Sequence, residues 1–156
     1  MSTETRRSGR TGWQFQRYCR DLPGLCADAL MAAAPPAYKP VLSRAFTSGR
    51  KLDRQNAHSR TVDDDFDRLG FGLWEAVGSL GARFPARRRR LDQLNAWRNA
   101  VAHQDFRRLA SDPLTVGTRA DLSTVRCWRR ALDQLAEGID RAVHRTLTSI
   151  VGSTPW

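Results

Sequence analysis

Between Asp121 and Val151 apolar residues recur at spacings of three and four with hardly a fault. They are Val125, Trp128, Leu132, Leu135, Ile139, Val143, Leu147 and Ile150. That period predicts one amphipathic helix of about 28 residues, capped at its start by Asp121 or Ser123. A stripe of that length must be covered by other elements. No segment elsewhere alternates as a half-buried strand does. The expectation is an all-α bundle of four to five helices with a long C-terminal helix.

The remaining segments fit that class. Trp13 to Ala34 has helical composition, with Pro23 and Gly24 breaking it or starting a second helix. "PPAYKP" is a turn or an extended link, and Val41 to Phe46 a short helix. Thr47 to Thr61 has almost no apolar content and reads as a loop. A capping signal at Thr61 or Asp63 then opens a helix carrying Phe66, Leu69, Leu73, Val77 and Leu80. Pro85 opens the next helix near its first turn, running to about Ala110. Ser111 to Thr118 is a loop. Residues 1–12 are expected to be a flexible tail, 13–151 a single helical domain and 152–156 a short C-terminal tail.

The chain has 156 residues, 40% of them hydrophobic, which suits one globular core. No apolar run approaches the ~18 residues of a membrane span, and the first residues lack the apolar core of a signal peptide. The expected location is cytoplasmic. The cysteines are Cys19, Cys26 and Cys127, an odd number with no CxxC pair. They are read as reduced thiols and not as disulfides or zinc ligands. His58, His103 and His144 make no HxxxH pair, so no metal and no cofactor is expected. The formal net charge is +10. A polyanion partner follows from that excess, because basic side chains gain affinity by neutralising phosphates. Only Lys39 and Lys51 are lysines, and an arginine-rich composition of this kind also arises from a GC-rich genome.

"WRNAVAH", residues 97–103, sets polar groups into an otherwise apolar helix. At about 100° per residue, Leu91, Leu94, Trp97, Val101 and Ala102 share a broad apolar face. Arg98 follows Leu91 by seven residues and points into that face. Asn99 and His103 are four apart and neighbours on its edge. His103 lies about 140° around from Arg98. A buried guanidinium needs compensation. Two structural readings supply it or remove the need: Arg98 snorkels or pairs with Asp92 or Asp105, and His103 closes the helix end.

Arg98-Asn99-Ala100-Val101-Ala102-His103 also matches the R-x4-H pattern of HEPN domains (higher eukaryotes and prokaryotes nucleotide-binding). The polar residue after the arginine and the long helix that follows fit as well. The stretch from about Asp63 to Ile150 resembles bacterial HEPN proteins of the RiboL-PSP type; the first 60 residues do so weakly. The resemblance implies a metal-independent endoribonuclease, a toxin or antiviral defence effector, and a homodimer with a composite active site. It implies His103 as general acid/base, Arg98 as phosphate clamp and Asn99 as an orienting group. The expected products are a 2′,3′-cyclic phosphate and a 5′-hydroxyl. Family members paired with an antitoxin resemble R-x4-H-x-Y. Here Asp105 stands at the tyrosine position, which puts antitoxin control through that tyrosine in doubt.

The run Arg87-Arg88-Arg89-Arg90 lies in the first turns of the same helix, where positive charge opposes the dipole. RNA-backbone contact is one reading of it and a solvated basic turn the other. Two alternatives to the nuclease stand: a non-catalytic RNA-binding or protein-interaction scaffold, and a basic DNA-associated helical protein.

Overall fold

The computed structural model describes residues 12–155. The expected tail lies outside these residues, except Gly12, which begins the first helix. Seven α-helices occur among them, with no strand. They are α1 (Gly12–Ala33), α2 (Lys39–Thr47), α3 (Ser59–Asp67), α4 (Leu73–Gly78), α5 (Phe84–His103), α6 (Phe106–Ser111) and α7 (Leu122–Val151). The chain is all-α, with the long C-terminal helix at its centre: α1, α4 and α5 all pack on α7. With α3 they make a five-helix core, while α2 docks on α1 and α6 on α5.

The stripe on α7 does what its period demands. Trp128, Leu132, Leu135, Ile139, Val143 and Leu147 are buried. Its two ends, Val125 and Ile150, are exposed. Asp121 caps the helix by accepting from Thr124 N at 2.7 Å. That bond to the backbone N–H holds the Asp121 carboxyl below its ordinary range. Gly152, left-handed at φ 75°, closes the other end.

Four expectations need correction. The helix α1 runs unbroken through Pro23; Phe15, Cys19, Leu22 and Cys26 are all in the core, and that burial offsets the missing backbone donor. The second corrected segment begins at Ser59, and its cap is His58, whose Nδ1 accepts from Thr61 N at 3.3 Å. Neither Thr61 nor Asp63 takes that role. The same segment is two helices, because the chain turns at Gly70 with φ 84°. Finally, α5 ends at His103 instead of Ala110: Gln104 adopts φ 54°, and Asp105 caps a separate helix α6.

The segment between α2 and α3 has no apolar period, yet it is firmly anchored. Leu52 is fully buried. The buried Asp65 carboxylate accepts from Lys51 N at 2.7 Å and Leu52 N at 3.0 Å. Arg20 Nε donates to Leu52 O at 3.0 Å. Arg68 donates to the carbonyls of Ala45, Ser48 and Gly49. The start of α3 is tied to α5 through Asp92, which accepts from Ser59 N at 2.8 Å and Ser59 Oγ at 2.7 Å.

Candidate functional site

The face of α5 that enters the core carries Leu91, Asn95 and Ala100, with Phe84 at its start. Leu94 and Trp97 are half-buried, and the Trp97 ring lies 6.3 Å from that of Trp128. Val101 and Ala102 are exposed, and so is Arg98. The arginine is therefore on the rim of the apolar face and not inside it, which removes the burial cost that the sequence raised. Neither suggested carboxylate pairs with it. Asp92 is engaged by Ser59, and Asp105 accepts from Arg108 N at 3.4 Å. Arg98 instead donates to Gln16 Oε1 of α1 at 3.3 Å. No ion pair among the described residues includes it.

Asn99 and His103 line one cleft of about 610 Å³ between α5, α6 and the start of α3. Both side chains are exposed. The same cleft is lined by His58 and Arg60, with Arg108 from α6. The cleft floor is Asn95, only 6% exposed. Its Nδ2 donates to Ala57 O at 2.9 Å and Leu91 O at 3.0 Å, while its Oδ1 has no partner among the described residues. A buried carbonyl without a donor costs about 1–3 kcal/mol; the atom is sealed from solvent, so that cost belongs to the packing of α5. Asp92, Asp105 and Asp112 are also in the wall; the backbone N–H groups of Ser59, Arg108 and Leu114 respectively donate to them.

Arg98 does not line that cleft. It faces a second depression with Leu94, Trp97, Val101, Ala102 and Trp128. Asn99 lies between the two and lines both. Within one chain, then, α5 brings Asn99 and His103 together and turns Arg98 to the side, as a five-residue spacing on a helix requires.

The arginine run is not brought to this place. Arg87 lies over the Phe84 ring at 4.6 Å and Arg88 over the Trp74 ring at 4.9 Å. Arg89 donates to Pro113 O at 3.4 Å, and Arg90 to Gln93 Oε1 at 3.0 Å. Stacking on aromatic faces favours a guanidinium by about 0.5–1 kcal/mol at exposed sites. That gives the run a local structural role, which the sequence reading lacked. At 1.5 Å per residue Arg90 stands ~14 Å along the axis from Asn99.

Sequence reasoning missed His58, Arg60 and Arg108 as neighbours of His103. No periodic signal could have found them, because they approach only through the packing of α3 and α6 on α5. A larger cavity of about 860 Å³ lies between α1 and α7, walled by Leu22, Leu25, Asp28, Asp140 and His144. It contains no residue of α5. Among the described residues no group of three or more His, Cys, Asp or Glu is placed to hold a metal ion. No helix among them is long and apolar enough to cross a membrane. Comparisons with family models, with curated proteins and with solved structures find no match for this chain.

Proposed function

We propose that this protein is a metal-independent endoribonuclease of the HEPN type. One observation carries the reading: His103 and Asn99, both exposed, line one cleft with His58, Arg60 and Arg108, beside Arg98, which no carboxylate among the described residues neutralises. RNA brings its own nucleophile, the 2′-hydroxyl. Histidine at the cleft mouth serves as proton acceptor or donor. The guanidinium of Arg98 binds the phosphate and stabilises the charge that develops on it. Attack of the 2′-oxygen on phosphorus expels the 5′-oxygen, which takes up a proton, and leaves a 2′,3′-cyclic phosphate.

The sideways placement of Arg98 supports a site shared between two copies. The apolar rim beside it, with Val101 59% exposed and Ala102 next to it, is the face that a second chain would cover. A two-fold arrangement carries the arginine of each protomer to the histidine of the other. In a cell such an enzyme acts as a toxin or a defence effector, held in check by a regulatory partner.

The test is cleavage of a labelled single-stranded RNA in the presence of a chelator. Wild type should cut it, and His103→Ala and Arg98→Ala should each lower the rate by at least about 100-fold. DNA of the same sequence should survive. Cutting by His103→Ala at the wild-type rate sinks the mechanism. RNA binding with no cleavage by wild type favours a binding scaffold instead.

A further inference from the structure

Next to the His103 cleft runs a second, polar groove of about 410 Å³, bounded by α1, the segment before α3, and α5. The two depressions are neighbours that share His58 and Asn99 in their walls. The groove wall carries four side-chain amides, Gln16, Gln55, Asn56 and Asn99, and two guanidinium groups, Arg20 and Arg54. Its one carboxylate, Asp53, is 3.7 Å from Arg50. Arg54 is exposed and has no ion-pair partner among the described residues.

This set of groups has a specific chemical meaning. Each amide offers a donor and an acceptor side by side, the pairing that nucleobase edges present. The arginines supply the charge that a phosphodiester needs. Asn56 Nδ2 donates to Asn99 Oδ1 at 3.4 Å, and Arg98 donates to Gln16 Oε1 at 3.3 Å. Gln55 Oε1 accepts from Thr61 Oγ1 at 3.5 Å; all three contacts are long, and the amide N–H donors of Gln16, Gln55 and Asn99 take no part in them. The volume is within the range of small-ligand sites, ~300–1,000 Å³. A base reaches such a groove only when it is unpaired and unstacked, because A-form RNA hides its edges in a deep, narrow major groove.

We propose that this groove is a subsite for a nucleotide of single-stranded RNA, next to the His103 cleft. The proposal rests on the ribonuclease reading and extends it: the amides contact the base and Arg20 and Arg54 contact the backbone. A strand lying across both depressions then places its scissile phosphate near Asn99, where they meet. Recognition of an unpaired base there selects loops and single strands over duplexes.

The experiment measures binding of a short single-stranded RNA with every ribose 2′-O-methylated, which removes the nucleophile, by fluorescence anisotropy at fixed salt. Wild type, Arg54→Ala, Arg54→Glu and Gln55→Ala are compared with Arg44→Ala, which removes one exposed charge from α2 outside the groove. Arg54→Ala and Gln55→Ala should each weaken binding about tenfold, Arg54→Glu more, and Arg44→Ala less than about twofold. A 2′-O-methylated duplex of the same sequence should bind wild type more weakly than the single strand.

Equal losses for Arg54→Ala, Gln55→Ala and Arg44→Ala would overturn the subsite, as would duplex and single strand binding alike. The two readings separate cleanly. If wild type cuts no RNA but the groove variants still lose strand binding, the ribonuclease falls and the groove stands. If His103→Ala abolishes cleavage while the groove variants bind like Arg44→Ala, the groove falls and the ribonuclease stands.

Discussion

The ring of Phe84 occupies the space that a side chain at position 138 would take. A Cβ on Gly138 would overlap Phe84 Cε1 and stand 2.6 Å from Cζ. The first residue of α5 is thus seated against the middle of α7 at the one point where α7 has no side chain. Gly138→Ala should destabilise the fold by about 3 kcal/mol through overpacking. A urea titration reads this as a lower midpoint, and Phe84→Leu added to the same chain should recover part of the loss. A Gly138→Ala chain with the wild-type midpoint would refute this packing of α5 on α7.

Arg98 and His103 face different depressions of one chain, and that supports a mixing experiment. Arg98→Ala and His103→Ala proteins, each inactive alone, should regain activity when unfolded together and refolded. Random pairing makes about half of the dimers mixed, and each mixed dimer has one intact site of two, so about a quarter of wild-type activity is expected. No recovery would mean that each chain acts with its own arginine and histidine.

The three thiols differ sharply in environment. Cys19 and Cys26 are buried and Cys127 is exposed. Burial pushes the Cys26 thiol up to about 12, which leaves almost no thiolate at neutral pH. Iodoacetamide should therefore label the folded protein at Cys127 alone and the denatured protein at all three, as read by intact-mass spectrometry. Labelling of Cys26 in the native state would show that the α1–α7 packing opens.

Asp63 is half-buried in α3, and burial, followed by repulsion from Asp67, raises its carboxyl above the usual 3.8. Its charged form is therefore disfavoured in the folded state. Above the raised folded value the penalty is complete; below 3.8 both states are protonated and it vanishes. Solvent screens much of the effect at this partly exposed carboxyl, so Asp63→Asn should raise the melting temperature at pH 7 by no more than about a degree or two. The difference should disappear on acidification to below the ordinary carboxylate range. An Asp63→Asn chain that melts lower than wild type at pH 7 would show that the Arg88 attraction outweighs the burial.

What could be read from the sequence follows from how local each cause is. The α7 stripe was legible because one long face repeats a single period. Pro85 and Asp121 marked their helix starts because they act on their own turn. The end of α5 was hidden: Gln104 takes a left-handed conformation without being glycine, and only the docking of α6 shows why the chain turns there. His58 was hidden as a cap because an imidazole rarely fills that role. The motif itself named Arg98, Asn99 and His103, yet its geometry misled. Helical phase alone set Arg98 in the core, whereas the buried side of α5 is set by where α3 and α7 approach. The polar stretch before α3 read as a loop, and its groove is visible only once α1 and α5 stand beside it.

That stretch has one further consequence. Asp65, 2% exposed, holds two backbone N–H groups of the segment that carries Arg54, Gln55 and Asn56. Ordering a free backbone residue costs about 1–2 kcal/mol of conformational entropy. Here folding has already fixed the segment's backbone at Lys51 and Leu52, immediately before the groove. A ligand that settles there meets a surface largely set in advance, and its binding enthalpy is not spent on freezing a loop. Loosening Asp65 would leave every groove side chain in place in the sequence and still weaken capture, by returning that entropy to the unbound state.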